Sequence, residues 1–445
     1  MTDSQQHLVS VHDITQAKTI PPSLLARTDA DLSTYLERAV PIIECVRREG
    51  DDALLRFARQ FDGVSAASFS LRTTEAEFDE AFARVDPEVI EAIEYAARNI
   101  RAFHEAQKPE EMWLKEMRPG AFAGDRLVPL DSVACYVPRG KGSFPSVVLM
   151  TAIPAVVAAV RRPILLTPPG PDGSVDSATL VAARLVGIDE VYKCGGAQAV
   201  AAAAYGTATV PKCAKFMGPG SPWVMAAKRL LVDFIDPGTP AGPSECVILA
   251  DDSANGRLAA LDLIIESEHG PDSSAFLVTS SRRVADEALR AIPTFWAEMS
   301  EHRARFSRAV LGGVHGGVVL ARDFDAAIGF VNAYAPEHLQ VLAEDPFEVL
   351  GKIRNAGEVL LGSYTPVTLG NFVLGPNAVL PTGGSAKAAS AVSVLDFMKR
   401  MSIGYVTKGG YAELASCAHR LATYEGFDAH ARAVSPLRLE ILGDG

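Results

Sequence analysis

The sequence predicts an α/β protein, with two Rossmann-like parallel-sheet domains, a helical N-terminal arm and a helical C-terminal tail. Three observations carry that expectation. Between residues 133 and 231, four short apolar runs alternate with four Ala-rich helical stretches, as in a parallel sheet with crossover helices. The runs are continuously apolar, which suits strands covered on both faces. A second series of the same texture starts at Cys246.

Taken in order, residues 1–27 form a polar arm in which Pro21 and Pro22 interrupt helix formation. From Asp29 to about Arg118, apolar residues recur every three or four positions and predict charge-laced helices. Gly63 is a C-cap closing the first helical run, and the period resumes from Glu75 to Gln107. VACYV (133–137), PILLTP (163–168), EVYKCG (190–195) and AKFMG (214–218) read as strands. Segments 145–159, 176–187, 197–206 and 222–231 read as the helices between and after them. The second series runs CVILA, a helix through LAALDLIIESEHG, AFLVTS, a helix from Arg283, VVLA, a helix through AAIGFVNAY, LQVLA and GEVLLG. Beyond Ala391 the tail reads as helical through VSVLDFMKRMS, YAELASCAHRLATYEG and FDAHARAV. The expected organisation is an arm (1–27), a discontinuous first α/β domain (28–132 plus 246–390), a second, nucleotide-binding α/β domain (133–245) and the tail (391–445).

Composition narrows the function classes. With 445 residues and 48% apolar content, the chain can bury a large core without metal or disulfide staples, and dominant disorder is excluded. The net charge of −12 and the lack of a basic segment argue against nucleic-acid binding. The longest apolar stretch, 146–160, contains Pro154 and is too short to span a bilayer. The polar first residues predict no secretory signal. Six scattered cysteines without a CxxC pair read as reduced thiols, so a cytoplasmic location is expected.

Several segments could carry chemistry. CGGAQAV (194–200) and MGPGSPW (217–223) set glycines between a strand and a helix. Such turns let backbone approach an anion at a helix N-terminus, or are simply tight turns. Glu266 and His269 project from one helix face, as half of a metal site or as a solvated acidic helix end. Glu337-His338 stands just before a strand, at a sheet end where ligand clefts form, and offers a general-base pair or an ordinary surface dipeptide. Asn371 lies in a glycine-punctuated loop, and His430 is a lone histidine five residues after Glu425.

Eight strings occur in order: CYVPRGKGSFPSVVLM, GGAQAVAAAAYGT, KFMGPGSPWV, AGPSE, ESEHGPDS, APEHLQV, GPNAVLPT and EGFDAHARAV. Together they resemble the histidinol dehydrogenase family over nearly the whole chain. The resemblance implies a homodimeric, zinc-dependent, NAD-linked dehydrogenase that oxidises an alcohol through an aldehyde to a carboxylate. It implies Glu337 and His338 as the bases, and Tyr136, Gln198 and Ser221 as cofactor contacts. Substrate contacts would be Ser244, His338 and Glu425. Zinc ligands would be Glu266, His269, Asn371 and His430, the last from the partner subunit, so that the tail completes its neighbour's site.

The chain departs from the family pattern at four positions. Glu266 stands where the family usually has Gln, and Asn371 where it has Asp, which leaves the formal charge of the shell unchanged. Ala378 replaces a His bordering the substrate, and Ser221 replaces an Asn near the cofactor. Arg139 and Lys141 add cations to a loop where the family is often neutral; they are anion ligands or solvated surface charges. The expected function is therefore oxidation of a small polar alcohol other than histidinol. The alternatives are histidinol dehydrogenase proper, a zinc hydrolase and a non-catalytic paralogue.

Overall fold

A computed structural model describes residues 8–27, 32–140 and 142–443. Two compact units are found: Met1–Lys108 with Leu130–Phe397, and Pro109–Pro129 with Met398–Gly445.

In chain order, strand β1 (Val11–Asp13) and the short helix Pro22–Leu25 precede four helices, Ser33–Glu49, Asp51–Phe61, Glu75–Arg84 and Pro87–Gln107. Gly50, at φ +55°, breaks the first predicted helical run in two. Thr74 and Glu77 form a reciprocal capping box that starts the third of these helices. Then come β2 (Met112–Arg118), β3 (Ala121–Pro129), β4 (Ser132–Tyr136), β5 (Arg162–Thr167), β6 (Val191–Lys193) and β7 (Lys215–Met217). The later strands are β8 (Glu245–Ala250), β9 (Ser274–Thr279), β10 (Gly316–Leu320), β11 (His338–Leu342), β12 (Glu358–Leu361) and β13 (Met398–Val406).

The larger unit holds both predicted parallel sheets. One has the order β6-β5-β4-β7, the other β1-β10-β9-β8-β11-β12. Their central strands are buried on both faces, as their continuous apolar sequences require. One apolar cluster packs Ala197–Ala204 and Phe216 against Ile43, Leu54 and Phe57. Two others cover opposite faces of the larger sheet. Among the described residues no helix is long and apolar enough to cross a membrane.

Three segments differ from expectation. The arm contains a strand, β1, which pairs with β10; its helical part is only Pro22–Leu25. Three residues are too few to show a period, so sheet pairing alone defines that strand. Met112–Arg118 and Met398–Val406, read as helical, are strands flanking β3 in an antiparallel sheet of the smaller unit. Every residue of β2 is exposed and β13 is almost as open, so neither has the apolar alternation that marks a half-buried strand. Helices follow in the tail as expected, at Lys408–Tyr424, Asp428–Ala433 and Leu437–Ile441.

Candidate active site

The four-stranded sheet changes winding direction between β4 and β7. In such sheets ligands bind outside the carboxyl ends of the strands at that point. Tyr136 is the last residue of β4, buried and stacked on Phe216 with centroids 5.2 Å apart. Its hydroxyl accepts the Gly196 N–H at 3.2 Å, and burial holds the phenol well above its ordinary pKa. Gly218 approaches Tyr136 so closely that a Cβ would lie 2.2 Å from the tyrosine carbonyl oxygen. Gln198 is buried in helix Gly196–Tyr205, and exposed Ser221 is the N-cap of helix Pro222–Leu230. The three predicted cofactor residues thus lie at the end of β4 or in the segments that follow β6 and β7. Arg139 is exposed, with its guanidinium against Gly170, where a Cβ would meet Nη1 at 2.5 Å. Lys141 lies outside the described residues.

The second cluster lies at the amino edge of the six-stranded sheet, opposite to the carboxyl edge that the parallel-sheet rule favours. Glu245, His338 and Glu358 are the first residues of β8, β11 and β12, and Glu337 directly precedes β11. His338 is in register with both Cys246 and Glu358. Glu337 Oε2 accepts the Glu245 backbone N–H at 2.8 Å and stands 4.0 Å from His338 Nε2. Glu358 Oε2 lies 3.1 Å from His338 Nδ1. Glu245 is held in turn by Arg27 Nε at 2.7 Å and by the Gly383 N–H at 2.8 Å. Half-buried Ser244 precedes β8, its carbonyl accepting the Ser274 N–H at 2.9 Å.

Electrostatics perturb this pair. Burial pushes Glu337 up to about 8, Glu266 adds to the rise, and the His338 charge opposes it. Burial alone would lower His338, but Glu337 and Glu358 outweigh it and lift the imidazole to about 9. Burial thus favours the neutral carboxyl, and the surrounding carboxylates favour the imidazolium. Perturbed, buried groups of this kind concentrate at functional sites.

Glu266, on the last turn of helix Gly256–Ser267, is 1% exposed. Its Oε1 accepts the Asn371 side-chain amide at 2.7 Å, and its Oε2 lies 3.2 Å from His269 Nδ1. A carboxylate, an imidazole and an amide thus converge, a nitrogen–oxygen donor set that suits zinc. Among the described residues no group of three His, Cys, Asp or Glu side chains could hold a metal by itself. The third polar side chain there is Asn371, whose amide nitrogen donates to Glu266. Glu425 and His430 are exposed residues of the smaller unit, the latter with its ring 5.2 Å from Phe427. Ala378 is half-buried, its N–H 3.4 Å from Met150 Sδ.

Sequence motifs missed Glu245, Glu358 and Arg27. A usable signal existed for Glu358, because a charge opening the run GEVLLG is anomalous in a buried parallel strand. Gln340, an uncharged polar residue inside the buried run LQVLA, is a comparable anomaly, and it donates to buried Asp262 at 2.7 Å.

Parallel sheets with glycine turns at a switch point define a doubly wound α/β protein. The chain matches the model of the histidinol dehydrogenase family over residues 25–438. It is 61% identical to the "Histidinol dehydrogenase homolog" of Cereibacter sphaeroides, covering 94% of this chain and 95% of that one. It is 49% identical to the "Histidinol dehydrogenase" of Synechocystis, covering 92% and 94%. The crystal structure of histidinol dehydrogenase from Elizabethkingia anophelis superposes with a TM-score of 0.91 at 31% identity, covering 98% of this chain and 99% of that one. The chain belongs to the histidinol dehydrogenase family, whose reaction is oxidation at a CH–OH group.

Proposed function

We propose that this protein is a zinc-dependent, NAD-linked cytoplasmic dehydrogenase that oxidises a small polar alcohol through its aldehyde to the carboxylate. One observation carries the reading: a buried Glu337–His338 pair in the same unit as the Glu266–His269–Asn371 donor set. Glu266, His269 and Asn371, completed by His430 across a homodimer, would hold zinc, which supplies Lewis-acid polarisation of the substrate oxygen. NAD at the edge formed by Tyr136, Gln198 and Ser221 supplies the hydride acceptor. His338 takes the hydroxyl proton as the carbon gives up its hydride. Glu337 in its ionised form takes the proton of the water that adds to the aldehyde, and the hydride of the resulting hydrate would pass to a second NAD. Burial, which favours the protonated carboxyl, sets the pH at which that ionised form is available. Ser244, together with the partner subunit's Glu425, orients the substrate.

Ala378 turns the reading away from histidinol. A methyl there offers no hydrogen bond to an imidazole, a loss of about 0.5–1.5 kcal/mol. A second reading, histidinol dehydrogenase proper, draws support from the relative in Synechocystis that bears that name. A screen of small alcohols with NAD and zinc, histidinol included, separates the two by NADH formation. Specificity for histidinol at about 10⁴ M⁻¹ s⁻¹ or above would restore the second reading. No NADH from any alcohol would sink both.

A further inference from the structure

The oxidation just described gives Glu358 no task. This residue opens β12, the edge strand of its sheet, and its side chain is 6% exposed. Oε2 faces His338 Nδ1 at 3.1 Å, while Oε1 is buried with no hydrogen-bond partner among the described residues. Pairing in register sets the two residues side by side on neighbouring strands. Gly370 leaves the space the carboxylate occupies, since a Cβ there would fall 2.8 Å from both oxygens. Placing a carboxylate in so enclosed a position is costly unless it is hydrogen-bonded.

A neutral imidazole has one N–H and one lone-pair nitrogen, and an ionised carboxylate only accepts. The proton of neutral His338 therefore belongs on Nδ1, and the lone pair on Nε2, the nitrogen that faces Glu337. We infer that Glu358 is a positioning residue: it fixes the ring and tautomer of His338, so that Nε2 is the nitrogen that exchanges the substrate proton. The inference rests on the dehydrogenase reading for its consequence, but not for its test. The titratable groups that bear on His338 are Glu337 from the segment before β11, Glu358 from β12 and Glu266 from helix Gly256–Ser267. In register on β8, its neighbour is Cys246.

The test is nitrogen NMR of histidine-labelled full-length protein, without substrate, for wild type, Glu358→Gln and Glu358→Ala. Above its titration, wild-type His338 should be the Nδ1–H tautomer. Glu358→Ala should shift the ring toward Nε2–H and lower its proton affinity about tenfold or more. Glu358→Gln, whose amide oxygen still accepts from Nδ1–H, should keep the tautomer and lose proton affinity. In turnover, Glu358→Ala should lower kcat about 10–100-fold with KM little changed, move the pH profile to lower pH, and be partly rescued by Gln. Unchanged tautomer and titration in a folded Ala variant would overturn the inference. If the Ala variant does not fold, an unchanged titration in Glu358→Gln does the same. Absence of NADH formation by the wild type would remove the dehydrogenase reading and leave the NMR result standing.

Discussion

Asn371 donates its side-chain amide to Glu266 Oε1 at 2.7 Å, joining helices Val367–Phe372 and Gly256–Ser267. Without a cation, this neutral donor satisfies a carboxylate that is 1% exposed. Asn371→Asp would set two carboxylates against each other. The metal-free protein should then lose about 1–3 kcal/mol, and zinc should restore more stability to the variant than to wild type. Melting with and without chelator reads this directly. His269→Ala should abolish stoichiometric zinc by elemental analysis while the fold persists, because a core of this size does not need a metal staple. Full zinc content in that variant would exclude His269 as a ligand.

Turnover should rise with pH. His338 works as a base only when deprotonated, and its raised pKa of about 9, with Glu337 at about 8, places that change on the alkaline side. The rate should therefore climb from pH 7 toward a plateau above the His338 value. Glu337→Gln removes a negative charge that raises His338, so the remaining limb should move to lower pH. A rate independent of pH across this range would exclude the pair as the proton acceptors.

The tail residues test assembly. If each site takes His338 from one subunit and His430 from the other, neither His338→Ala nor His430→Ala protein is active alone. Random exchange between them makes hybrid dimers with one intact site each, so about one quarter of wild-type activity should return. No recovery after verified exchange would place His430 outside the site.

Lys228 bears on stability instead of turnover. It is 3% exposed in helix Pro222–Leu230, donates to the Thr239 carbonyl at 3.0 Å, and burial lowers it to about 8. Between that value and the ordinary lysine value, the unfolded chain binds the proton and the folded one does not. Stability should therefore rise with pH across that window. The cost of the buried charge is complete below the folded value, so Lys228→Met should gain most near pH 7 and progressively less toward pH 10. Urea unfolding at both pH values measures the difference, and an equal effect at both would refute it.

The sequence by itself determined the two parallel sheets, because strands buried on both faces write continuous apolar runs and crossover helices write a three-to-four-residue period. It also marked Glu337-His338, which are contiguous, and the Glu266–His269 spacing, three residues apart where helix Gly256–Ser267 ends. Only the tertiary structure decided that the pair sits at the amino edge of its sheet, that Asn371 reaches Glu266, and that Glu358 stands against His338. Those relationships join residues from separate elements, and register between parallel strands is set by packing across crossovers, not by local pattern. The strands β2 and β13 went unread for a related reason: exposed on most of their surface, they owe their form to pairing with β3, and pairing leaves no period in the chain.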